Sequence, residues 1–127
     1  MLNPSKANGE IDDPTIRRCM GFARRAGYCG IHIVNLFALR STDPAGVELA
    51  KNPVGPENDS YIKRICLTSG EVIAAWGAWH FARKRTRYVA EMLPCVMLKC
   101  LETNKDGSPK HPLFVPKNAP LVPWEGQ

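Results

Sequence analysis

The chain has 127 residues, 44% of them hydrophobic, and a formal net charge of +5. That length suits one domain with one core, and the composition excludes a collagen-like or disordered chain. No apolar run reaches the roughly 20 residues that span a bilayer and no basic, apolar, cleavable leader is present, so no membrane association and a cytoplasmic location are expected.

Residues 1–13 read as loop, because Asn3, Pro4, Ser5, Asn8 and Gly9 cluster there. A sharp Asn-Pro-Ser turn ordinarily follows a strand, and here Met1 and Leu2 precede it. A helix is predicted next. Asp13 suits the N-cap, Pro14 the first helical position and Gly27 the position just past the end. Ile16, Cys19, Met20 and Ala23 fall on one face of it, and Arg17, Arg18, Arg24 and Arg25 on the opposite face. A solvated face is the commoner use of such a stripe; contact with a nucleic-acid backbone is the more specific one.

The stretch from Ile31 to Pro44 organises the rest. Its near-continuous apolar run, Ile31 to Leu36, predicts a strand buried on both faces, as in a parallel sheet. Asn35 lies inside that run, and Arg40 to Asp43 lie where the strand should end. In open α/β sheets, ligands bind just outside the carboxyl ends of strands. Asp43-Pro44 caps a short helix towards Ala50, and a Pro/Gly-rich break at 52–56 leads to a helix from about Glu57 to Leu67. A second buried strand, Glu71 to Gly77, turns at Gly77 into a helix from Ala78 to Leu93. Ala78, Phe81, Tyr88, Val89 and Met92 form the apolar stripe of that helix, with Arg85 in its middle. A cation there must be paired or face a cavity, and Asp12, Asp13, Glu57 and Asp59 are the candidate partners. A snorkelling surface arginine is the alternative. A third strand covers Cys95 to Leu101, a turn covers Asn104 to Gly107, and Pro109 to Leu113 must run extended. The tail from about Phe114 is Pro-rich and irregular, with Trp124 as its anchor.

Alternating strands and helices indicate a layered α/β fold with a mainly parallel sheet. Five cysteines in apolar contexts read as reduced core residues, and no spacing fits a zinc site, so neither metal nor cofactor is expected. There is no GxGxxG, P-loop or GxSxG motif. The polar residues left at predicted strand ends are Asn3 with Ser5, Asn35 with Arg40, Trp76 with Gly77, and His111 with Pro112.

Around these positions the chain closely resembles a bacterial and phage family catalogued as domain of unknown function 1643. The resemblance rests on Met1-Leu2-Asn3-Pro4-Ser5, Asp12-Asp13-Pro14-Thr15-Ile16-Arg17-Arg18-Cys19, the run Val34 to Pro44, Pro53-Val54-Gly55-Pro56-Glu57-Asn58-Asp59, Ala74-Ala75-Trp76-Gly77-Ala78 and Lys110-His111-Pro112-Leu113-Phe114. More remotely, the order Asn3-Pro4, Asn35, Gly77, His111-Pro112 is similar to the uracil-DNA glycosylase superfamily, a resemblance that implies a three-layer sandwich around a short, mainly parallel sheet. That resemblance implies roles. Asn3 would position an attacking water, and Asn35 would hydrogen-bond the edge of an extruded base. His111 would stabilise the departing base, and Leu113 would wedge the stack open. Asn3 stands where an aspartate would activate water, and no Ser follows the His-Pro pair.

The leading expectation is therefore a nucleobase, nucleotide or nucleic-acid binder, with N-glycosidic hydrolysis as a subsidiary activity. The alternative is a non-catalytic interaction module, for example a phage or mobile-element protein that binds a host factor. The resemblance also implies an apolar strand ahead of Met1, which is missing from this sequence. An open edge left there would expose unpaired backbone and allow a homodimer.

Overall fold

The structure is a computed structural model, and it describes residues 1–4 and 13–126. Helix α1, Pro14–Arg25, starts where a cap is available. The Asp13 carboxylate accepts hydrogen bonds from the Thr15 and Ile16 N–H groups at 2.8 and 3.4 Å. It ends beside Gly27, whose φ of +87° lies in the left-handed region that glycine tolerates. Helix α2, Pro44–Leu49, repeats the device, with the Asp43 carboxylate on the Ala45 N–H at 2.9 Å. Helix α3, Asn58–Thr68, buries Ile62 and Cys66.

Strand β1 is Val72–Ile73 and is followed by a single 3-10 turn, His80–Ala82. Helix α4, Arg83–Met92, continues directly from that turn. The expected helix from Ala78 thus starts later and presents a rotated face. Ala82, Thr86 and Val89 are buried, whereas Tyr88 is 51% exposed. Strand β2 is Leu98–Cys100, a second 3-10 turn is Pro112–Phe114, and strand β3 is Val122–Pro123.

These strands form one small mixed sheet in the order β1-β2-β3. β1 and β2 pair parallel, with Val72 opposite Leu98. β2 and β3 pair antiparallel, with Cys100 opposite Val122. The fold is α/β. The sheet is not mainly parallel, because the Pro-rich tail adds the antiparallel strand. Trp124 holds that tail: its N–H donates to the Leu98 carbonyl and its indole Nε1 to the Gly107 carbonyl. Its ring meets Trp76 edge-on at 5.0 Å. Such aromatic pairs add about 0.5–1.5 kcal/mol beyond the area they bury.

The expected strand at 31–36 is not formed: the segment is irregular and belongs to no sheet among the described residues. A strand needs lateral partners, and two residues supply them. The Met1 ammonium donates to the Val34 carbonyl at 3.0 Å, and the Leu36 N–H donates to the Met1 carbonyl at 2.9 Å. This is the pattern of one parallel bridge, centred on Met1 and Asn35. Leu2, Leu36, Phe37, Ile62, Trp76 and Val89 belong to one buried cluster around it. No helix among the described residues is long and apolar enough to cross a membrane.

Candidate ligand-binding site

The segment Asn35 to Ser41 leaves the end of that bridge and is clamped from several directions. The Asn3 side-chain amide donates to the carbonyls of Pro4, Leu39 and Ser41 at 3.1, 3.3 and 2.9 Å. The Asn58 amide donates to the Asn35 and Leu36 carbonyls at 2.9 and 3.2 Å. The Ala38 and Leu39 N–H groups donate to the Val54 and Pro53 carbonyls. That last contact depends on Gly55. Its φ is +85°, and a Cβ there would stand 2.9 Å from the Ala38 Cβ.

Arg85 completes the clamp. Its Nε donates to the Leu36 carbonyl at 2.8 Å, and its terminal nitrogen lies 2.6 Å from Asp59 Oδ1. Its guanidinium also stands 5.6 Å from the Tyr88 ring centre. Arg85 is thus paired, with one of the four carboxylates that the sequence offered. The side chain is 9% exposed against 37% for Asp59. The ion pair is close but poorly aligned, so neither of the two buried atoms gains a well-formed hydrogen bond. The sequence did not single out Asn58 as a clamp. Its signal was the polar residue just after the Gly-Pro break, where α3 begins.

His111 sits at the start of the second 3-10 turn. Its Nδ1 accepts from the Leu113 N–H at 3.2 Å, which places the single proton of the neutral ring on Nε2. Burial pushes its pKa below the usual imidazole value, and the Met1 ammonium adds to that against the opposing charge of Asp13. The imidazole is therefore kept neutral at pH 7. The Phe114 ring lies 5.8 Å away and is 78% exposed.

Two polar side chains at this end have no hydrogen-bond partner among the described residues. One is the half-buried Asn35 amide. The other is the Trp76 indole N–H, in a residue only 6% exposed. Both residues line an apolar cavity of about 350 Å³, together with Met1 and Pro112. A buried donor without an acceptor is unusual enough to require an explanation. Trp76 lies at a strand end that the sequence predicts, but its orphaned indole is not legible there.

The remaining predicted residues are spread around this end. Gly77 is buried with a φ of +83°, and a Cβ there would stand 3.1 Å from the Trp79 indole nitrogen. Its N–H donates to the Pro109 carbonyl, tying the end of β1 to the segment that carries His111. Arg40 is exposed and Leu113 is 39% exposed. No hydrogen bond among the described residues joins Asn3, Asn35 and His111 to one another. What they share is Met1, two residues before Asn3, bridged to Asn35 and felt electrostatically by His111.

Of the arginine stripe, Arg18 donates to the Val115 carbonyl at 3.1 Å and Arg25 to the Lys117 carbonyl at 2.6 Å, while Arg17 and Arg24 are exposed. Ser5 lies outside the described residues, as does Asp12. Among the described residues, no group of three or more His, Cys, Asp or Glu converges as metal ligands would, and all five cysteines are free thiols.

The profile of a family described as a protein of unknown function (DUF1643) matches residues 1–113. No curated protein and no solved structure matches the chain.

Proposed function

The chain belongs to the DUF1643 family, and we propose that it binds a nucleobase or nucleotide, free or within nucleic acid, where residues 31–36 end. The observation that carries this reading is the pair of unpartnered polar groups, the Asn35 amide and the Trp76 indole N–H, on one apolar cavity. A flat heterocycle with hydrogen-bonding edges suits such a lining. The amide offers a donor and an acceptor to one edge, and the indole offers a further donor. Trp79, 40% exposed beside Gly77, and Phe114, 78% exposed beside His111, offer further π-faces. Arg40 and the exposed arginines of α1 would meet phosphates.

Within this reading the arrangement is a uracil-DNA-glycosylase-like sandwich, and N-glycosidic hydrolysis is its subsidiary activity. Asn3 directs its amide nitrogen to three carbonyls, which leaves its Oδ1 as the acceptor for a water. His111, neutral and protonated on Nε2, would donate to a departing base anion. A non-catalytic interaction module is favoured instead by one feature. Asn3, Asn58 and Arg85 all bind main-chain carbonyls of the chain itself.

The test is a titration with nucleotides, modified bases and short single-stranded DNA, read by thermal shift. A ligand should raise the melting temperature of the natural chain and leave Asn35→Ala unmoved. Asn35→Ala should itself melt close to the natural chain, because the Asn35 side chain bonds to nothing in the described structure. No shift with any member of the panel would refute the ligand reading and leave the interaction module.

A further inference from the structure

We propose that residues 115–124 form a strap that fastens helix α1 over the cavity, with Trp124 as its latch, so that release of the latch opens the cavity to solutes. This device rests on the reading of the cavity as the ligand site, and concerns how entry to that site is controlled.

Helix α1 is a cover that needs a fastening. Its Cys19, Phe22 and Ala23 form one wall of the cavity. Yet no residue of α1 is buried, and its principal packing partner among the other elements is the 3-10 turn Pro112–Phe114. At 12 residues it is also too short to hold its shape in water by propensity alone. The tail supplies what packing does not. Arg18 and Arg25, two turns apart on the helix, donate to the Val115 and Lys117 carbonyls at 3.1 and 2.6 Å. Hydrogen bonds from a charged donor are the stronger kind.

From Lys117 the chain leaves α1 and crosses to the sheet, where Val122 pairs with Cys100. Between these two pins the backbone of residues 118–121 bonds only within the strap, among the described residues. The Ala119 N–H turns back to the Pro116 carbonyl at 3.0 Å. Residues 116–118 and Pro120 are exposed. Leu121 alone of residues 115–124 lines the cavity. Lifting such a segment breaks few contacts, which is the property of a part that opens locally. Pro116 and Pro120 restrict the freedom it gains when released, which favours its return.

Trp124 carries the latch. Strand β3 has two residues, both exposed, and so short a pairing is a weak fastening. Trp124 is 8% exposed. Its N–H bonds the Leu98 carbonyl at 2.9 Å, its indole Nε1 bonds the Gly107 carbonyl at 3.0 Å, and its ring meets Trp76 edge-on. Trp76 is the residue whose own indole N–H stands unpartnered on the cavity. One ring thus closes the strap and braces the wall of the site.

Cys66 is a reporter inside the cavity. It is 5% exposed on the α3 wall, and burial pushes its thiol pKa up, so it reacts slowly while shut in. Cys29 and Cys95 are exposed and give the rate of an open thiol. Labelling with N-ethylmaleimide, followed cysteine by cysteine with peptide mass spectrometry, yields an opening constant at Cys66. Hydrogen exchange of the residue 124 N–H yields one for the latch. The two should agree, and should change little with urea while the chain stays folded, because lifting a strap exposes little surface. Trp124→Ala should raise both by about tenfold or more, through loss of one ring pair and one hydrogen bond. Arg25→Gln frees the other pin and leaves the Trp124 contacts in place. It should also speed Cys66 labelling, and it decides the matter if Trp124→Ala does not fold. Cys66 labelling faster or slower than the latch opens, a urea dependence as steep as that of global unfolding, or labelling unchanged in the variants would overturn the proposal. No ligand enters the experiment, so its failure is distinct from a failure of the nucleobase reading.

Discussion

Acetylating the Met1 amine should change how the folded protein responds to pH. The ammonium is buried, and that burial pulls its pKa from 8.0 down to about 6. An amine depressed in this way binds fewer protons folded than unfolded, so its stability contribution is complete above pH 8. It is lost as pH falls from about 8 towards 6. Two pKa units at about 1.36 kcal/mol each give a loss of about 2.7 kcal/mol below pH 6, half of it already present at pH 7. An acetylated chain keeps the N–H that bonds the Val34 carbonyl and has no charge to desolvate. Urea denaturation of both forms from pH 5.5 to 9 measures the difference. His111 also has a lowered pKa, so its neutral form is favoured and stability falls with acidity through it as well. The part due to burial is common to both forms and cancels, and the part due to the Met1 charge is lost on acetylation, which adds to the difference in the same direction. The free amine should lose about 2–3 kcal/mol relative to the acetylated chain on going from pH 9 to 5.5. Parallel curves would show that the ammonium is solvated, and would remove the buried bridge from the account.

Other substitutions test the clamps and the arginine stripe. Asp59→Asn should cost about 1–2 kcal/mol by urea denaturation, less than the ~3–5 of a fully buried pair, because Asp59 is 37% exposed. Adding Arg85→Met to that variant should recover part of the loss; no recovery would mean that the Leu36 carbonyl alone satisfies the cation. Asn3→Asp should cost about 1–3 kcal/mol and speed proteolysis at residues 39–43, since a carboxylate would face three carbonyl oxygens where an amide now donates. Unchanged cleavage there would show that the loop is held by its other contacts. Replacing Arg17, Arg18, Arg24 and Arg25 with Gln should flatten the salt dependence of any nucleic-acid affinity. It should also loosen residues 115–117, which Arg18 and Arg25 hold; an unaltered salt slope would place the phosphates elsewhere.

The helices were legible because their signals are local. Asp13-Pro14 and Asp43-Pro44 set starts that the structure reproduces at the residue. The strands were less so, because a strand is defined by its neighbours. Residues 31–36 have the composition of a buried strand, but their backbone-to-backbone bonds among the described residues go to Met1. Val122-Pro123 looks like tail, yet becomes a strand because Trp124 docks beside it. At the site, Arg85 was readable as a charge in an apolar stripe that demanded a partner. Asn58 was not, since a polar residue opening a helix is ordinary. The orphaned Trp76 N–H depends on three-dimensional surroundings that no local pattern encodes.

The three tryptophans occupy three different surroundings, and this gives the protein its own optical instrument. Trp79 is 40% exposed, so a soluble quencher should reach it first. Trp76 and Trp124 are shielded, and their rings cross at 86° with centres 5.0 Å apart. Two indoles so close and so nearly perpendicular should couple in the near-ultraviolet circular dichroism spectrum, and the signal should vanish when the tail undocks. Their N–H groups differ as well: that of Trp124 is bonded to Gly107, and that of Trp76 to nothing described. An acceptor arriving in the cavity should therefore move the emission of Trp76 to longer wavelength while leaving that of Trp124 in place.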